Sequence, residues 1–165
     1  MTRSIAEINK LLSGSREIDL DTYEGIPSKI SLNEKSNKED LDKCDSYFQF
    51  RLPDDYLLFL ENFNGGIFFQ VNDIAGFQFW GCKELIKWNA FHKEHLGDDW
   101  DNRIILICAS LGDGDYIGLK LFDDETYEVI DAFGEEIPAN WNKIGDSFDD
   151  FLLQLIETRG KKFWL

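Results

Sequence analysis

The chain has 165 residues, with 17 basic and 32 acidic side chains and a formal net charge of −15. A hydrophobic content of 43%, including fourteen Phe and five Trp, is enough for one buried core and excludes a disordered chain. So negative a surface repels nucleic-acid phosphates and anionic lipid, and no apolar run approaches the roughly 20 residues that a bilayer span requires.

The N-terminal "MTRSIAEINKLLSG" mixes charges into its apolar positions and lacks the core of an export signal, so a cytoplasmic chain is expected. Ser4-Ile5-Ala6-Glu7 has the form of a capping box, and Ile5, Ile8, Leu11 and Leu12 then share one helical face that Gly14 ends. Residues 15–46 carry little signal. "SLNEKSNKEDLDKCDS" is polar and charge-dense, and reads as an exposed loop or a short solvated helix. Cys44, Cys82 and Cys108 are odd in number and have no CxxC spacing, which fits reduced thiols better than a disulfide framework.

"RLPDDYLLFLENFNGG" holds a helix start, an apolar face and a stop. Pro53 suits a first helical turn, and Asp54 and Asp55 complement the helix dipole. Tyr56, Leu57, Leu60 and Phe63 recur at helical spacing, with Phe59 flanking them. Asn64, Gly65 and Gly66 can adopt the left-handed backbone that turns the chain into a strand, where Ile67, Phe69 and Val71 alternate with Phe68 and Gln70. "GFQFWG" is a second strand paired with the first, and "CKELIKWNAFHKEHL" is a helix with Leu85, Trp88 and Phe91 or His92 inward. "RIILICAS" is a strand buried on both faces, with Cys108 as a small core residue. "LGDGDY" is a turn, and "YIGLKLF" and "TYEVIDAF" form a hairpin around "DDE". Ser147 caps a last helix whose apolar face is Phe148, Phe151, Leu152, Leu155 and Ile156. The expected fold is a single α+β domain over 1–165, with a mainly antiparallel twisted sheet flanked by helices.

Charge is uneven. Residues 97–157 hold sixteen acids against Arg103, Lys120 and Lys143, a net −13. Asp98, Asp99 and Asp101 bracket Trp100; Asp113 and Asp115 flank Gly114; Asp123, Asp124 and Glu125 fill the hairpin turn. Gathered on one face, these tips would surround an aromatic anchor with carboxylates and suit a basic cleft on a protein partner. The plainer reading is that Asp is common in turns for backbone reasons. His92 and His95 read as solvated histidines without a third metal ligand. "GDGDY" lacks the remaining acids of a calcium loop. Ser110 and Cys108 have no nucleophile elbow or paired His, and "NGG" has no P-loop Lys, so no catalytic, cofactor or metal site is expected. Phe163, Trp164 and Leu165 either pack back on the domain or form an adhesive end for a partner or second subunit.

"LPDDYLLFLENFNGG", then "RIILICASLGDGDYIGLKL", then a terminal "SFDDFLLQLIE" helix resemble the SUKH superfamily, the SMI/KNR-like domain, over residues 51–157. Leu52, Pro53, Tyr56, Leu60, Asn64, Gly65 and Gly66 match its fold signature, and residues 29–47 look like a loop or insertion ahead of it. The resemblance implies a module without shared catalytic apparatus. Many bacterial members are immunity proteins that bind and block a cognate toxin, often a nuclease or nucleic-acid deaminase; a fungal branch serves as a regulatory hub in cell-wall control. On that basis the expected partner is a toxin with a basic surface, bound by a monomer or weak homodimer, with a regulatory scaffold as the alternative.

Overall fold

Each strand pairs antiparallel with its neighbours in sequence in the computed structural model, which describes residues 1–165, so the eight strands form one meander in chain order. The order of elements is α1 (Arg3–Leu12), β1 (Glu17–Asp19), β2 (Lys29–Leu32), α2 (Lys38–Tyr47), α3 (Asp54–Phe63), β3 (Gly66–Val71), β4 (Ala75–Phe79), α4 (Cys82–Leu96), β5 (Ile104–Leu111), β6 (Tyr116–Leu121), β7 (Tyr127–Ala132), β8 (Asn142–Gly145) and α5 (Phe148–Glu157). This is the α+β class expected. Five helices flank a single sheet, and none is long and apolar enough to cross a membrane.

The middle of the sheet is its deepest part. Ile104 through Cys108 are all buried, and since successive strand residues point to opposite faces, β5 is covered on both sides. α3 and α5 lay aromatic rings on the sheet: Phe59 meets Phe79 at 5.8 Å and Phe148 at 5.2 Å, while Tyr56 meets Phe148 edge-on at 4.9 Å. Phe59 and Phe63 therefore join Tyr56 and Leu60 in the core, while Leu57 is only half-buried.

The Asn-Gly-Gly corner shows why the stretch before it is so tightly specified. Asn64 ends α3 with φ +48°, and its Oδ1 accepts from the Cys82 N–H at 2.8 Å, which ties α3 to the start of α4. A Cβ on Gly65 would lie 2.5 Å from the Phe79 carbonyl oxygen, and one on Gly66 equally close to that of Ser31. Side chains are excluded there because β2 and β4 pass on either side.

Several local expectations are corrected. α1 is capped by Thr2, whose side chain accepts from Ile5, whereas Ser4 is buried as the second residue of the helix. Its exposed N–H groups are also met from afar, since Asp149 accepts from Arg3 and Ser4 at 3.2 and 2.8 Å. In the 29–47 segment β2 is built into the sheet with Ile30 and Leu32 buried, which neither a loop nor an insertion allows, whereas α2 is the short, mostly solvated helix that was the alternative to a loop, and it packs against α4. Strict alternation in β3 fails because Phe69 takes φ +54° at a bulge, so Phe68 and Phe69 are both buried. In α4, Phe91 is exposed and Asn89 is buried instead. Asn89 accepts from the Leu106 N–H and donates to the Leu106 and Leu85 carbonyls, each at 2.8 Å, pairing β5 just beyond the end of β4.

Candidate functional site

Meander topology decides where the acidic tips fall. The loop before β5 and the β6–β7 turn lie at one end of the sheet, and the β5–β6 turn lies at the other, roughly 23 Å away for an eight-residue strand. Asp98, Asp99, Trp100 and Asp101 thus share an end with Asp123, Asp124 and Glu125, whereas Asp113 and Asp115 lie opposite. The gathering of all three tips on one side does not occur.

At the first end the backbone holds the tips in place. Asp98 and Asp99 sit in a single 3-10 turn closed by the Trp100 N–H to the Gly97 carbonyl at 3.1 Å. Asp101 Oδ1 accepts from the Arg103 N–H at 2.9 Å and starts β5. The Leu121 N–H donates to the Arg103 carbonyl at 2.8 Å, which carries the β5–β6 ladder outward and joins the two tips. In the β6–β7 turn Glu125 adopts φ +65°, and Asp124 accepts from both the hydroxyl and the N–H of Thr126. Those two bonds, hydroxyl first, hold the Asp124 carboxyl below its ordinary pKa. None of these six carboxylates is in an ion pair, while nearby Asp54 is matched by Arg51 at 2.9 Å.

Between these tips and α3 runs the connection from α2, Phe48 to Pro53. Its anchors are Leu52, buried, with its N–H donating to Asp45 at 3.0 Å, and the half-buried rings of Phe48 and Phe50. Clefts open on both sides of this strap. One of about 420 Å³ lies between Gln49–Asp54 and the β6–β7 turn, including Asp123, Glu125 and Tyr127. A neighbouring cleft places half-buried Trp100 beside Phe50, Asp101, Arg103 and Asp123. The two clefts share Gln49, Phe50 and Asp123 and together form a groove lined by aromatic rings, by the carboxylates Asp54, Asp101, Asp123 and Glu125, and by Arg51 and Arg103.

One carboxylate in this region is structural. Asp55 accepts from the Tyr127 hydroxyl at 2.6 Å and the Asp149 N–H at 3.0 Å, and the Tyr127 oxygen accepts from the Phe148 N–H at 2.7 Å. Burial first, and the bond to Asp55 second, push the Tyr127 hydroxyl well above its usual pKa, so it stays protonated. The network fixes the starts of α3 and α5 beneath the groove.

At the opposite end one lysine offsets part of the negative charge. Lys162 reaches Asp113 at 2.7 Å and Asp115 at 3.0 Å, and Asp115 also accepts from the Gly134 N–H at 3.0 Å. Ser110 donates to Asp113 at 3.2 Å, and Trp164 donates to Asp131 at 3.1 Å. Phe163 and Trp164 pack on Phe151, and Trp164 on Phe77, so the tail folds back and leaves only Leu165 outside. Lys162, which no motif of the sequence marks, pairs with both carboxylates of this tip and halves its charge. No local pattern could have found it, because its partners lie 47 and more residues away.

His92 packs edge-on against Tyr116 at 4.6 Å and His95 stacks on Phe91 at 6.1 Å. Burial, with a smaller contribution from His95, lowers the His92 pKa. No set of three His, Cys, Asp or Glu side chains is arranged to hold a metal ion.

A model of the SMI1/KNR4 family (SUKH-1) matches residues 35–154, well over half of the chain. The chain belongs to that family. The match begins ahead of α2, so this helix lies within the matched region rather than in an insertion before it. A search of curated proteins returns no match.

Proposed function

We propose that the protein is a cytoplasmic immunity protein that binds and neutralises a cognate toxin, a basic enzyme acting on nucleic acid, by stoichiometric blockade. The observation that carries this reading is the groove: Asp101, Asp123 and Glu125, all free of ion pairs, line it beside half-buried Trp100 on the scaffold of the SMI1/KNR4 family. Unpaired acids at a rim steer a cationic partner and set its capture rate, whereas an aromatic floor sets how long it stays. Unpaired carboxylates along a groove also suit a cleft built to hold a phosphate backbone.

Co-expression with the toxin domain encoded by a neighbouring gene is the first test, and rescue of growth is the expected result. Association of the purified pair should slow as salt rises. D123K/E125K should lower the on-rate by about tenfold, and Trp100→Ala should mainly raise the off-rate. An on-rate indifferent to both salt and charge reversal overturns the steering argument. Recovery of a cellular enzyme without toxin rescue favours the regulatory-scaffold role instead.

A further inference from the structure

An open meander leaves two edges, β1 and β8, and they differ. The register of β8 on β7 shifts between Val129 and Ile130, and Lys143 stands on the strand, paired with Asp146. A bulge and a lysine are devices that keep an edge from taking up another strand. β1 has neither, and its ladder with β2 runs past both ends of the strand. The Leu32 N–H donates to the Arg16 carbonyl at 2.8 Å, the Leu20 N–H to the Ser28 carbonyl at 3.0 Å, and the Thr22 N–H to the Ile26 carbonyl at 2.9 Å, with Ile18 opposite Ile30. Arg16, Ile18, Leu20 and Thr22 therefore turn their backbone toward β2, and Glu17, Asp19 and Asp21 turn theirs outward. Of the outward groups only the Glu17 N–H is engaged, donating to the Ser15 hydroxyl at 3.2 Å. The N–H groups of Asp19 and Asp21 and the carbonyls of all three residues are left without a partner.

This edge is held in place and carries a charge pattern. The Tyr23 N–H, at the tip of the β1–β2 hairpin, donates to the Arg159 carbonyl just beyond α5 at 3.0 Å. Side chains alternate: Glu17, Asp19 and Asp21 are exposed on one face, and half-buried Ile18 and Leu20 pack against the core on the other. Glu17 pairs with Lys29 at 3.6 Å, whereas Asp19 and Asp21 are in no ion pair. A second copy fits this edge badly. Two β1 edges paired antiparallel about Asp19 set Asp19 against Asp19 and Glu17 against Asp21, and like charges directly opposite destabilise a strand pair. A strand with cations at those positions meets opposite charges instead.

We propose that the β1 edge receives an extended segment of another protein as an added antiparallel strand, with lysine or arginine facing Glu17, Asp19 and Asp21 and apolar residues between them. Backbone bonds supply the affinity, and the acids select the charge and register of the segment. Each facing residue donates its N–H to the carbonyl opposite, and the N–H groups of Asp19 and Asp21 donate back to the carbonyls of theirs. The apolar residues between the cations continue the face of Ile18 and Leu20 beyond the present edge. β1 lies five strand spacings, about 24 Å, from β6, whose end forms one wall of the groove. The edge is therefore a separate surface, and it stands whether or not the groove holds a toxin.

The probe is a capped peptide in which three lysines alternate with four valines, titrated into the full chain at about 0.15 M salt and followed by backbone NMR. Amide exchange at Asp19 and Asp21 should slow by about tenfold on saturation, with the largest shifts over residues 16–22. The same peptide N-methylated at its three lysines keeps its charge but cannot donate along the edge, and should bind about tenfold more weakly. A peptide with glutamate in place of lysine should not bind. D19K/D21K should reverse that preference, rejecting the lysine peptide and accepting the glutamate one. Equal binding of the methylated and unmethylated peptides, protection centred on the groove or on β8, or unchanged exchange at Asp19 and Asp21 with millimolar peptide overturns the proposal. Methylation alters only the peptide, so that comparison decides even if D19K/D21K folds poorly.

Discussion

Removing the positive charge that holds the tail, by Lys162→Met, tests how the far end of the sheet is stabilised. The Lys162 side chain is only 18% exposed and contacts Asp115, itself 12% exposed, and Asp113, 45% exposed. Deleting one partner of a fully buried ion pair costs about 3–5 kcal/mol, because the other charge is left uncompensated. The exposure of Asp113 screens its share, so the expected loss at neutral pH is about 2–3 kcal/mol. Methionine keeps the length of the apolar stem, so lost packing contributes little. Burial raises the Asp113 pKa, but bonds from Lys162, the Asp115 N–H and Ser110 outweigh it and leave it below its ordinary value. A depressed carboxyl contributes stability above its unfolded pKa and loses it as pH falls through the folded one. Burial would lower Lys162, but its two carboxylate bonds outweigh that and raise it, so its contribution is complete below its unfolded pKa and lost as pH rises through the folded one. The wild-type cluster is therefore at full strength from about pH 5 to pH 9. Asp131 differs: burial raises it despite Lys162 and Trp164, so its charged form is a burden that acid relieves. Without Lys162 that burden grows and Asp113 loses its main counter-charge. The deficit of the variant should shrink between pH 7 and pH 4. Urea unfolding of both proteins at those pH values reads the difference directly. A loss under about 1 kcal/mol at pH 7, or one that does not change in acid, refutes the reasoning.

Three further substitutions probe the frame of the groove. Asn89→Leu preserves volume but strands the N–H and carbonyl of Leu106, and should cost about 2–4 kcal/mol in chemical denaturation. Gly65→Ala places a methyl against the Phe79 carbonyl at a positive φ, and should lower stability by about 3 kcal/mol or prevent soluble expression, visible as a fall in the thermal midpoint. Tyr127→Phe leaves the Phe148 N–H without its acceptor and removes the hydroxyl donor of Asp55, which keeps the Asp149 N–H. It should cost about 1–3 kcal/mol, with faster amide exchange confined to the first turns of α3 and α5.

The sequence by itself determined the elements whose instructions are local. The helix-stop glycines after α3, the Ser147 cap, the apolar run of β5 and the β6–β7 hairpin each carry their signal within a few residues, and the order of these elements already pointed to the family. Short polar elements were decided elsewhere. β1, β2 and β8 become strands because the growing edges of the sheet offer them backbone partners, and α2 is held by buried Cys44, half-buried Leu41 and the bond from the Leu52 N–H to Asp45. The acidic tips show the same division. Their composition was legible, but which of them stand together follows from strand direction in a meander, and which are ion-paired follows from a lysine brought back by the tail. Hydrophobic period and turn chemistry act over neighbouring residues, whereas charge pairing and edge pairing act through space between distant ones. Only the folded chain sets those distances.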